Sequence, residues 1–212
     1  MNSITLDSSD CKSDLCIYCM ESGTDKSPYT AQGHRHPYTV PYSLLFEPLR
    51  KKQIKFAEIG VFRGASILAW RRYFERARIY GFDIDQQNLD FIAAQGWPGV
   101  FLHSMDASDS KSIKENLALF TQDGELYDVI LDDASHNVDH QMETIRTGIH
   151  FLKQGGLLIV EDIFRDMTTE KYEKVFAEIK HLVSFHTFIV CDHRNRFSPG
   201  WNNDKMLVFV RA

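Results

Sequence analysis

The chain has 212 residues, of which 43% are hydrophobic and 25% charged, with a formal net charge of -5. That length and balance fit one globular domain with a full core, and the acidic excess argues against a nucleic-acid partner, whose footprint normally leaves a basic domain. No apolar run is long enough for a bilayer and Met1-Asn2-Ser3-Ile4 is no signal pattern, so the expectation is a cytoplasmic protein without a membrane partner.

Residues 1–27 are polar and read as a flexible N-terminal segment, leaving 28–212 as the folded domain. Cys11, Cys16 and Cys19 crowd into it. With His34 or His36 they offer a partial zinc set, but the second C-x-x-C of a zinc ribbon is missing, which favours a reduced terminus. Residues 38–49 read as a short helix capping the sheet. The basic clusters Arg50-Lys51-Lys52 and Arg71-Arg72 read as solvated faces.

From residue 54 onward, apolar runs of strand length alternate with helical patterns. Strands are expected at 54–59, 78–82, 100–103, 127–131, 156–160, 185–190 and 206–210, and helices at 66–75, 86–95, 110–120, 138–153 and 168–182. This alternation is that of an α/β fold, a doubly wound, Rossmann-like parallel sheet of seven strands. The last two strands are joined by a polar loop without a helical pattern, so the final strand is expected antiparallel. Gly155-Gly156 reads as the stop of the fourth of these helices.

The first strand runs into Glu58-Ile59-Gly60-Val61-Phe62-Arg63-Gly64, an E-x-G-x-x-x-G turn, and Asp83 closes the second strand. Gly60 and Gly64 carry no Cβ and let the backbone approach a ligand closely, and an acid about 20 residues past the turn is placed for ribose hydroxyls. The spacing suits a nucleoside cofactor and departs from the G-x-G-x-x-G of dinucleotide binders. The fourth and fifth strands end in Asp132-Asp133-Ala134-Ser135-His136 and Glu161-Asp162. If adjacent, they crowd four carboxylates together, a costly cluster unless a cation neutralises it or some carboxyls protonate. All-oxygen donors favour a hard ion, Mg²⁺ before Ca²⁺ or Mn²⁺. The competing reading is that Asp132 or Asp133 caps the next helix while Glu161 and Asp162 face solvent. His136 is the candidate base for a weakly acidic hydroxyl, against a helix-capping or ion-orienting role; His140, one turn on, reads as structural.

The glycine turn with Glu58 and Asp83 resembles the class I S-adenosylmethionine-dependent methyltransferases. Asp132-Asp133-Ala134-Ser135-His136 with Glu161-Asp162, Gly23-Thr24-Asp25-Lys26, His36-Pro37-Tyr38 with Tyr42, and Asp192-His193-Arg194 are similar to the metal-dependent sugar O-methyltransferases of macrolide biosynthesis. The resemblance implies S-adenosylmethionine held by Glu58, Gly60, Gly64, Asp83, Asp106, Ala107 and Asp132, with Asp106 and Ala107 facing the adenine. It implies Mg²⁺ (or Mn²⁺) on Asp133, Glu161 and Asp162, with His136 as base beside Asp133. The acceptor is then a small molecule or glycan, foremost a deoxysugar hydroxyl, lined by Tyr38, Tyr42, His193 and Arg194, with His36 and Trp201 as further candidates. A catechol-type O-methyltransferase, a non-catalytic cofactor-binding module and a nicotinamide oxidoreductase are the alternatives, and a homo-oligomer is left open.

Overall fold

In the computed structural model, which describes residues 1–212, strand β2 (Lys55–Ile59) is buried at every position. A strand covered on both faces belongs to the middle of a sheet flanked by helices. In chain order the elements are β1 (Ser3–Asp7), α1 (Asp14–Ser22), α2 (Thr39–Phe46), β2, α3 (Ala65–Tyr73), β3 (Arg78–Asp83), α4 (Gln86–Ala93), β4 (Val100–Ser104) and α5 (Ser110–Leu119). They continue with β5 (Tyr127–Asp132), α6 (Val138–Gly148), β6 (Leu152–Ile163), α7 (Glu170–Ile179), β7 (Val183–Asp192) and β8 (Lys205–Arg211).

The strands form one sheet in the order β1-β7-β8-β6-β5-β2-β3-β4, in which β8 alone runs antiparallel to its neighbours. The doubly wound fold and its antiparallel last strand are as the sequence indicates. The strand count is not: the sheet has eight strands, not seven. The eighth is β1, a short polar stretch ordered by pairing with the edge of β7, from Ser3 opposite Phe188 to Asp7 opposite Asp192. The stretch read as flexible over 1–27 is therefore structured. Ser13 caps α1, Gly23 closes it in a left-handed conformation, and Leu15, Cys16 and Cys19 are buried in the core beside α2 and α3. Cys19 packs in the apolar core, the Cys16 sulfur is hydrogen-bonded to Thr39 at 2.9 Å, and His36 is bonded to Asp204, so the zinc set is not assembled.

A second difference lies at α6, which stops at Gly148, seven residues before the Gly155-Gly156 pair expected to end it. Residues from Leu152 already belong to β6. The glycines form an irregularity in the β5–β6 ladder, where Tyr127 pairs with Leu152 but Val129 pairs with Leu157. Gly155 has φ 76°, and a Cβ on Gly156 would lie 2.9 Å from the Lys153 carbonyl oxygen.

One face of the sheet is covered by an aromatic core in which Trp70 packs on Phe46, Phe56 and Phe74, and the other by Ile113, Met142, Ile145, Tyr172 and Val175 from α5, α6 and α7. No helix is long and apolar enough to cross a membrane. Strand order reverses beside β2, which has β3 on one side and β5 on the other. Ligands of open α/β sheets bind beyond the carboxyl ends of strands at such a point.

The crossing there is tight. Gly60 has φ 89°, and a Cβ on it would run into the backbone of Asp133 and Ala134, while Gly64 lies against Ile92 and Trp97. Thus both glycines serve the approach of the chain to itself, and Gly60 also lines the hollow beside the turn. Gly60→Ala should cost about 2 kcal/mol or more through positive-φ strain and collision, read as a lower midpoint of urea unfolding with unchanged slope.

Candidate active site

The turn after β2 is pinned from β3. Asp83 accepts from the Phe62 amide at 2.8 Å and from the Asp85 amide at 2.9 Å. Beneath the turn, buried Glu58 accepts from Ser66 at 2.9 Å and from the Trp70 indole at 3.0 Å through one oxygen. Its other oxygen has no hydrogen-bond partner, and Lys26 stands 3.8 Å away. Burial pushes the Glu58 carboxyl up to about 7, with Lys26 opposing. A cavity of about 300 Å³ lies beside the turn, lined among others by Gly60, Asp83, Met105, Asp106, Ala107 and Ser135. It adjoins a cleft of about 670 Å³ that runs past Gly23–Asp25, Gln32–His34, Arg63, Asp133 and His136. The structure thus brings Gly60, Asp83, Asp106 and Ala107 to one hollow. Within it Asp106 also accepts from the amide and hydroxyl of Ser108 at 2.8 and 2.7 Å. Gly64 and Glu58 support the turn from below and behind. Asp132 is buried, has one oxygen without a partner, and is raised to about 6 by burial.

At the tips of β5 and β6 the carboxylates do converge. Neither Asp132 nor Asp133 caps α6; the Asn137 side chain does. Nor do Glu161 and Asp162 face solvent, being 1% and 4% exposed. Asp133, His136 and Asp162 offer ligand atoms all within 4.8 Å of one another. His136 Nε2 lies 3.0 Å from Asp162 and 3.5 Å from Asp133. His136 lies just before α6, and both it and Asp162 have φ 56°. Left-handed backbone at a non-glycine residue costs free energy and persists only where the surroundings impose it.

The residue that sequence reading passed over is Lys26. Its fully buried ammonium donates to Asp133 and to Glu161 and faces Glu58. Burial alone would discharge it, but Asp133, Glu161 and Glu58 together hold it well above its ordinary pKa. The signal available was Lys26 itself, within the Gly23-Thr24-Asp25-Lys26 stretch, but nothing local marks that lysine as buried. Glu161 is accordingly turned to Lys26 and to the Tyr42 hydroxyl, which donates to it at 2.5 Å, and is not a member of the three-residue cluster. Burial resists ionisation of Asp133, but Lys26 and His136 overcome it and hold the carboxyl down at about 2. Burial would also lower His136, yet the bond to Asp133 and the charges of Asp162 and Asp133 lift it to about 9.

Tyr38 and Tyr42 do not line an acceptor pocket. Both are buried, and their hydroxyls hold the acidic cluster: Tyr38 donates to Asp162 at 2.9 Å, on the same oxygen that accepts from Asn203 at 2.9 Å. They were misplaced because an aromatic ring with a hydroxyl suits a sugar face and a carboxylate support equally. His193 and Arg194 are likewise engaged elsewhere. His193 accepts from the Asn195 amide at 2.9 Å, while Arg194 pairs with Asp10 and its amide donates to Ser9 at 2.9 Å, tethering the loop after β1.

A family profile described as a methyltransferase domain matches residues 57–163, about half of the chain. The chain belongs to this methyltransferase domain family. It is 33% identical over 135 residues to the 8-demethyl-8-alpha-L-rhamnosyl tetracenomycin-C 2'-O-methyltransferase of Streptomyces olivaceus, covering 60% of this chain and 33% of that protein. It is 26% identical over 140 residues to the mycinamicin VI 2''-O-methyltransferase of Micromonospora griseorubida, covering 62% of this chain and 33% of that protein. The fold is similar to that of the MycE methyltransferase from the mycinamycin biosynthetic pathway, solved in complex with Mg, SAH and mycinamycin VI. There the TM-score is 0.70 at 19% identity, over 95% of this chain and 55% of that one. The match thus spans about a third of the length of these curated relatives.

The charge arrangement has a sign that can be measured. His136 is raised from 6.5 to about 9, so its contribution to stability is complete below pH 6.5 and is lost as pH rises through 9. Glu58, raised from 4.5 to about 7, loses its contribution in the same direction. In EDTA, the melting temperature should fall between about pH 6.5 and 9, and His136→Gln should flatten the upper part of that decline.

Proposed function

We propose that this chain is an S-adenosylmethionine-dependent, divalent-metal-assisted O-methyltransferase whose acceptor is a sugar hydroxyl, such as that of a deoxysugar on a glycosylated small molecule. The observation that carries the reading is the meeting of Asp133, His136 and Asp162 beside the cleft that contains Gly60 and Asp83. The relatives, named as sugar O-methyltransferases of natural-product pathways, support it, as do the Mg and SAH in the similar structure.

The residues fit both groups. The carboxylates of Asp133 and Asp162 are hard oxygen donors suited to Mg²⁺ or Mn²⁺, with the His136 imidazole beside them and Lys26 linking Asp133 to Glu161. For the nucleoside, Asp83 keeps free lone pairs beside the turn, and Met105, Asp106 and Ala107 line the hollow beyond it. Buried Glu58 has an unpartnered oxygen that suits an amino group.

S-adenosylmethionine supplies an already activated methyl group, and a divalent ion makes a coordinated hydroxyl more acidic. The protein's own task is alignment and proton handling. His136 is the group placed to accept the hydroxyl proton, at Nε2. Facing Asp133 and Asp162 alone it stays protonated; a cation held by those carboxylates would return the imidazole toward the range in which it accepts a proton at neutral pH. Tyr38 and Asn203 keep Asp162 in place, and Tyr42 and Lys26 keep Glu161. No nucleic-acid or membrane partner and a cytoplasmic setting belong to the same proposal.

His136→Ala should lower turnover by about 10² or more while S-adenosylhomocysteine still binds by calorimetry. Asp133→Ala should abolish stimulation by Mg²⁺; equal rates with and without EDTA would contradict the metal role. Asp83→Ala should weaken S-adenosylhomocysteine binding by at least about tenfold through loss of its hydrogen bonds. Catechol, assayed beside a deoxysugar glycoside, decides between the two acceptor classes.

A further inference from the structure

Trp201 is 47% exposed, an unusual state for an indole. It stacks on Phe164 with ring centroids 5.8 Å apart at 24°, and it stands edge-on to His136 at 6.4 Å and 88°. The other two tryptophans sit away from this point, Trp70 in the core and Trp97 against Gly64.

The loop that carries it is fastened from several sides. The Trp201 amide donates to the Ser198 carbonyl at 3.0 Å, and the Arg165 amide to the Asn202 carbonyl at 2.7 Å. Arg196 donates to Asp204 at 2.8 Å. Two residues beyond the indole, the Asn203 side chain donates to Asp162. One loop therefore holds a carboxylate of the acidic cluster and presents an aromatic surface next to the candidate proton acceptor. This aromatic pair at the surface is not part of the core, whose own aromatic cluster lies on the sheet face under α3.

We infer that Trp201, backed by Phe164, is the platform on which the acceptor's pyranose ring stacks, and that it sets specificity for a sugar acceptor. This rests on the function proposed above. A pyranose has an apolar C–H face and polar hydroxyl edges. The indole takes the face, and His136 with Asp133 and Asp162 stands where a ring-edge hydroxyl reaches them. The residue is a specificity determinant and has no part in the proton transfer.

Trp201→Ala, Trp201→Phe and the natural chain are to be compared in two measurements with methyl α-L-rhamnopyranoside. The first is intrinsic tryptophan emission on titration, in the presence of S-adenosylhomocysteine and Mg²⁺. The second is KM and kcat for methyl transfer. The expected result is an emission change in the natural chain that Trp201→Ala abolishes. KM should rise by about tenfold or more with kcat within about threefold, since uniform binding is what is removed, and Trp201→Phe should recover most of it. Unaltered emission, or a KM that Trp201→Ala leaves unchanged, overturns the platform even if methyl transfer is intact. An emission change lost in Trp201→Ala without any methyl transfer supports the platform and counts against the proposed reaction.

Discussion

A buried ammonium among buried carboxylates is the constraint on which this site depends. Glu58, Asp133 and Glu161 come from three strand ends, and Lys26 lies between them. Without a cation these acids would repel one another in a poorly solvated volume, and their tips would have to separate or take up protons. The lysine makes the convergence possible in the protein by itself. The Tyr42 hydroxyl then orients Glu161, and Tyr38 with Asn203 orients the neighbouring Asp162. Because the lysine belongs to the stretch between α1 and α2, the N-terminal part of the chain is a structural member of the site.

The fold was largely legible because its signals are periodic and local. Strands buried on both faces read as apolar runs, amphipathic helices fell between them, and a polar loop before the last strand implied reversal. What escaped was structure made by pairing. Ser3–Asp7 alternates polar and apolar residues but is only five residues long and mostly exposed, and its order comes from pairing with the edge of β7. The end of α6 was misjudged because a glycine pair that looks like a helix stop instead accommodates extra residues in a strand ladder.

The site shows the same division. Gly60, Asp83, Asp106, Asp133, His136 and Asp162 come together as their order in the sequence implies, because a fold of this type gathers strand-end residues at one edge of the sheet. Tyr38 and Tyr42 lie on no strand and His193 and Arg194 directly follow β7, and residue type alone does not tell whether each faces a ligand or another side chain. The tyrosines turned inward to the acids, the other two toward the N-terminal loop. Lys26 was invisible for the opposite reason: a lysine in a polar stretch reads as solvated, and only the folded chain shows three carboxylates around it.

The pairing of β1 with β7 has a consequence for how the molecule assembles. Ser3 meets Phe188, and Tyr38 reaches the Asn203 carbonyl, so the two ends of the chain are closed onto each other through contacts of very long sequence separation. Contacts of this kind form late and slowly, after nearer elements have condensed. The central strands and their helices can therefore condense into a scaffold first, and the acidic pocket matures only when the first and last segments are zipped together.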